Sequence, residues 1–151
     1  MTNKIYSFLL FQFVISFFFL TSIFSQSQLI GNWEGELTVE NEGNVLSSFK
    51  MLLQINSDSA AIEGQSWVWY NDKKAVFSFK GQLQRDILRI KDVALVEYDK
   101  LGAGEWCYKE MELVLSHTRK LDKLEGTWTG HTTFSKCQPG KIALKKVTKR
   151  A

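Results

Sequence analysis

Histidine and cysteine are scarce: each occurs twice in 151 residues. His117 and His131 stand at no ligand spacing from Cys107 or Cys137, which makes a metal site the weaker reading; no metal or cofactor is expected. There is no Gly-x-Ser-x-Gly elbow, so nucleophilic catalysis has no candidate and no catalytic residue is assigned. Glu110 and Glu112 form a carboxylate pair on one strand face, but they alternate with Met111 and Leu113. That alternation reads as a solvated outer face rather than a glycosidase pair. His131 falls on a polar face among threonines and His117 at a strand rim. The chain also lacks a charge bias. Setting aside Lys4 leaves 18 basic side chains against 16 acidic ones, a net +2. Nucleic-acid binding by electrostatics is therefore not expected. The locally basic end, from Lys141 to Arg150, reads as a solvated edge whose lysines discourage edge-to-edge pairing.

The one long hydrophobic run lies at the start. Lys4 precedes an uncharged stretch from Ile5 to Phe24, and Ser25-Gln26-Ser27-Gln28 follows. A basic start, an apolar centre and a small-residue end make a signal peptide over 1–25, with cleavage after Ser25. The rival is an uncleaved anchor, since the run is about long enough to span a bilayer. Apart from that leader no membrane contact is expected. Residues 26–151 form one small domain, secreted or periplasmic. In such a compartment Cys107 and Cys137 are expected to pair as a disulfide, worth roughly 3–4 kcal/mol for a loop of intermediate length.

No stretch of useful length after the leader has a helical period, and there is no linker or second domain. Instead, apolar residues alternate with polar ones in segment after segment. The clearest begins with Gly31-Asn32-Trp33-Glu34-Gly35, where Trp33, Gly35, Leu37 and Val39 share one face and Glu34, Glu36, Thr38 and Glu40 the other. Period-two alternation marks a sheet with one wet face. Its echo, Gly126-Thr127-Trp128-Thr129-Gly130, lies near the other end of the domain. In each copy Gly, Trp, Gly stand in a row, so Gly31, Trp33, Gly35, Gly126, Trp128 and Gly130 are assigned structural roles. Glycines beside an indole give the ring bare backbone to lie on and let the strand coil.

Eight strands are predicted, over 30–40, 45–56, 60–70, 75–84, 87–98, 105–117, 124–135 and 141–147, separated by short polar turns. The fifth is the least regular, and Asp92 or Ala94 is expected to mark a bulge. In the sixth, Cys107, Met111, Leu113 and Leu115 share a parity; in the seventh, the second Gly-Trp-Gly row is followed by Phe134. The fold class is all-β: an antiparallel up-and-down barrel of about eight strands, favoured over a two-sheet sandwich because the paired Gly-Trp-Gly rows suggest that first and last strands meet.

Gly31-x-Trp33 opening the first strand, an apolar second strand, an Asn-Ser-Asp turn and Ile62-x-Gly64 together resemble the start of calycin-type barrels, the lipocalins, fatty-acid-binding proteins and avidins. The resemblance covers the first third of the domain. It implies a lipocalin-like barrel in which Trp33 plugs one end and the other end takes small apolar molecules. Aromatic residues beyond the two plug-like indoles, namely Trp67, Trp69, Tyr70, Tyr98, Trp106 and Tyr108, are the candidate ligand-binding set. Two functions remain open: a non-enzymatic exported barrel for a small apolar or aromatic ligand, or a structural or protein-interaction barrel with a filled core and an exposed patch at Trp67 and Trp69.

Overall fold

The computed structural model describes residues 29–57 and 61–148; the leader, the tip of the turn after Ser57 and the last three residues lie outside the described residues. The eight strands are β1 (Gly31–Asn41), β2 (Asn44–Ser57), β3 (Ile62–Tyr70), β4 (Lys73–Gln84), β5 (Ile87–Tyr98), β6 (Tyr108–His117), β7 (Asp122–His131) and β8 (Gly140–Lys146). They run up and down in chain order and close into a barrel, β1 pairing antiparallel with β8 from Trp33↔Lys146 to Leu37↔Ile142. The alternation in sequence is the reason. Each strand sends one parity inward, as in β6, where Lys109, Met111, Leu113 and Leu115 are buried and Glu110, Glu112 and Val114 are exposed.

Both Gly-Trp-Gly rows serve closure. A Cβ at Gly35 would overlap the Ala143 carbonyl across the β1–β8 seam, and one at Gly126 the Glu112 carbonyl on β6. Bare backbone at these two points lets neighbouring strands coil into close approach. Trp33 is completely buried and donates Nε1–H to the Leu29 carbonyl at 2.9 Å, so the chain entering β1 is tied over that end of the barrel. Burying an indole contributes about 4–6 kcal/mol by area. Trp128 reaches from β7 across β8 and donates Nε1–H to the Thr38 carbonyl of β1 at 2.8 Å. It bolts the closing seam.

Most strand ends fall within two residues of the sequence expectation, and two differ by more. Strand six was expected from Glu105, yet β6 starts at Tyr108. Beyond Lys91↔Glu110 the β5 strand has no β6 partner, because it follows β4 out to Tyr98 through two register shifts. Those shifts flank Val93 and Val96, which places the expected bulge beside Asp92 and Ala94. Strand seven was expected to reach Ser135, yet β7 ends at His131. The Thr132 hydroxyl accepts the amides of Phe134 and Ser135, winding the chain into a tight turn. Phe134 sits at its tip, 85% exposed, and not on the barrel wall.

Candidate functional site

The two ends of the barrel are filled differently. Around Trp33 the interior is packed with large apolar side chains, among them Leu53, Ile55, Leu88, Leu113 and Leu124, each almost wholly buried. At the opposite end the walls carry Leu37, Val39, Phe49, Val68 and Phe77, and between them lies a cavity of about 290 Å³. The segment 99–107, which links β5 to β6, crosses this end and lays Leu101, Glu105 and Trp106 against the opening. Trp128 forms part of the floor.

Local chemistry pins that crossing segment. Trp106 donates Nε1–H to the Asp99 carbonyl at 2.8 Å, which folds the segment back on itself. The Glu105 carboxylate accepts the Thr133 amide at 3.1 Å. Cys107 and Cys137 form a disulfide, anchoring the segment to the turn before β8. A disulfide of this kind belongs to an oxidising compartment. The bond thus does more than staple the chain: it fixes the indole of Trp106 over the mouth.

Three polar side chains are buried inside the barrel toward this end. Lys109 on β6, Asp92 on β5 and Ser66 on β3 are all buried. The Lys109 ammonium meets Asp92 Oδ2 at 2.6 Å. Asp92 Oδ2 also accepts the Lys109 backbone amide at 2.9 Å, and Oδ1 accepts the Ser66 hydroxyl at 3.4 Å. The carboxylate thereby continues the β5–β6 ladder with a side chain at the point where the backbones separate. Lys109 Nζ lies 3.7 Å above the centre of the Phe77 ring and donates to the Cys107 carbonyl at a long 3.5 Å. Burial pushes the Asp92 carboxyl up and the Lys109 amine down, each held back by the opposite charge of its partner. Lys109 is also part of the cavity wall.

The structure divides the aromatic candidates into four groups. Trp106 and Tyr70 line the cavity. Tyr108 occupies the parting between β5 and β6, edge-on to Phe77 at 5.4 Å and stacked on His131 at 6.0 Å. Tyr98, half exposed, shares a second depression with Trp106 and Tyr108 just outside the mouth. Trp67 and Trp69 point outward from β3, half buried, away from the cavity. Each stands among outer-face neighbours: Trp67 is the cross-strand partner of buried Val76, and the Lys50 ammonium lies 5.3 Å from the Trp69 ring.

The outer face also has a larger concavity of about 780 Å³, over β4–β7. Its walls include ion pairs, Arg89–Glu112 at 2.8 Å and Lys91–Glu110 at 2.6 Å, so Glu110 and Glu112 face water with cationic partners. Lys91 accordingly holds the Glu110 carboxyl below the usual carboxylate range. His117 Nδ1 meets Asp122 at 2.9 Å on the rim.

Sequence reasoning did not single out Lys109, Asp92 as a charge partner, or Ser66. The signal was present in parity: Lys109 falls in the inward row between Cys107 and Met111, and Ser66 between Gly64 and Val68. A polar residue interrupting an apolar row on three separate strands marks a buried polar group that must find partners. No protein-family model matches the chain, and no curated protein or solved structure matches it either.

Proposed function

We propose that the protein is an exported, non-enzymatic barrel of the calycin type that holds a small apolar or aromatic molecule in the cavity beneath Trp106. The observation that carries this reading is the contrast between the two ends: side chains fill one, while the other leaves about 290 Å³ inside walls that are mostly aliphatic and aromatic carbon. An eight-stranded barrel has room either for its own side chains or for one small ligand. Wall atoms facing a void forgo dispersion contacts, a loss that an apolar guest offsets. Export to the periplasm or beyond accords with the disulfide and with the signal-peptide character of residues 1–25.

The test is titration of the purified protein with N-phenyl-1-naphthylamine, an uncharged dye that brightens in apolar surroundings. Saturable binding is expected, lost in Val68→Phe, which puts a ring into the cavity, and retained in Trp67→Ser/Trp69→Ser. No binding, or binding undiminished by Val68→Phe, contradicts the reading. The second reading is a barrel that docks a protein partner, and it rests on the outward indoles Trp67 and Trp69. Abolition of dye binding by the double serine variant alone would favour that outer surface over the cavity.

A further inference from the structure

The cavity wall contains a compensated charge pair, and this restricts what the cavity can take. The Lys109 ammonium has three protons to donate. One goes to Asp92 Oδ2 at 2.6 Å. A second makes the 3.5 Å contact with the Cys107 carbonyl, at the outer limit of a hydrogen bond. The third faces the Phe77 ring, 3.7 Å to its centre. The head group is thus paired in charge but weakly satisfied in hydrogen bonds, and its residue forms part of the wall of a cavity whose other lining, apart from Ser47 and Glu105, is apolar.

We propose that Lys109 and Asp92 make this cavity selective for an uncharged aromatic or apolar molecule carrying one carbonyl oxygen, with Lys109 Nζ as the donor to that oxygen. The inference rests on the reading of the cavity as a ligand site and names its ligand class. A carbonyl oxygen replaces the long Cys107 contact with a shorter charge-assisted bond and adds no charge. A hydrocarbon fills the space but leaves the ammonium as it was. A carboxylate brings a second negative group close to Asp92, whose charge Lys109 already balances, and the buried site is left with an uncompensated anion. Glu105 at the mouth adds to the repulsion. An amine ligand meets the ammonium itself. The pair therefore discriminates by charge and by acceptor, although its own net charge is zero.

Three probes of nearly equal shape separate these cases: 2-acetylnaphthalene, 2-isopropenylnaphthalene and 2-naphthoate. Calorimetric titration of the wild-type protein is expected to show the ketone binding about tenfold more tightly than the alkene and at least about tenfold more tightly than the acid. In Asp92→Asn/Lys109→Met the ketone and alkene are expected to bind alike, since the donor is gone while the asparagine keeps an acceptor for the Lys109 amide. The bound ketone gives a second readout that needs no variant: its infrared carbonyl band should move to lower frequency in the wild-type complex. Equal binding of ketone and alkene by the wild type, tightest binding of 2-naphthoate, or an unshifted carbonyl band overturns the proposal while leaving the cavity as a ligand site. Failure of all three probes to bind removes the ligand site as well.

Discussion

Lys109→Met deprives a buried carboxylate of its cationic partner and leaves it the residue-109 amide at 2.9 Å and the Ser66 hydroxyl at 3.4 Å. Breaking a buried ion pair from one side costs about 3–5 kcal/mol. The loss has a ceiling, because Asp92 can take up a proton. Protonating a carboxyl whose ordinary value is 3.8 costs about 4 kcal/mol at pH 7, and about 1.4 kcal/mol less for each pH unit below that. The destabilisation by Lys109→Met should therefore shrink as the solution is acidified and nearly vanish close to pH 3.8. Asp92→Asn has the opposite slope: the stranded amine, ordinarily 10.5, costs about 5 kcal/mol to deprotonate at pH 7, and the loss shrinks as pH rises. The double variant Asp92→Asn/Lys109→Met removes both charges and should be at least as stable as wild type at neutral pH, since uncharged replacements spare the desolvation of two ions. Urea denaturation of the four proteins from acid to alkaline pH makes the check. Two single variants with parallel pH profiles, or a double variant less stable than either single, would refute the reasoning.

Three further outcomes follow from the same geometry. Wild type set against the double variant isolates the titration of the pair. The raised Asp92 carboxyl means that stability is lost as pH rises above 3.8, and the lowered Lys109 amine means that it returns on approach to 10.5; the relative stability should pass through a trough between, and a flat difference would count against it. Reducing Cys107–Cys137, which are separated by 30 residues, should lower stability by about 3–4 kcal/mol and weaken dye binding as Trp106 leaves the mouth; unchanged dye affinity after reduction would disconnect the disulfide from the site. Gly126→Ala drives a methyl group into the Glu112 carbonyl and should cost at least about 1–3 kcal/mol, whereas Gly104→Ala, whose Cβ would meet Leu101 at an ordinary 3.6 Å, should cost less, as thermal melts would show.

Much of the barrel can be read from alternation alone. The inward row Trp33, Leu37 on β1 and the row Met111, Leu113, Leu115 on β6 are buried as their parity requires. Pairing of first and last strands is visible in the repeated Gly-Trp-Gly rows, because a glycine row beside an indole has a use where strands pack closely. Parity also separates the outward Trp67 and Trp69 from the inward Ser66 and Val68, so the division of the aromatic residues was partly on the page. Three things are not local properties of any segment. The parting of β5 from β6 depends on β5 following β4, so Glu105–Cys107 alternate like a strand without a partner to pair with. Tyr108 has the outward parity of Glu110, yet its ring sits edge-on to inward Phe77 because it fills that parting. The empty end of the barrel arises from side-chain volumes summed over six strands and one crossing segment, which no periodicity records. Lys109 lay in plain view within an apolar row, but its meaning depends on Asp92, 17 residues away in sequence and reached only when β6 pairs with β5.

Crystals of the protein pressurised with xenon test the difference between the two ends most directly, since the gas enters cavities with apolar walls and stays out of packed interiors. An ordered xenon site between Trp106, Phe77 and Trp128, with none around Leu53, Leu88 and Leu113, is the expected result. Absence of xenon beneath Trp106, or xenon lodged at the Trp33 end, would contradict a barrel that is filled at one end and kept open for a ligand at the other.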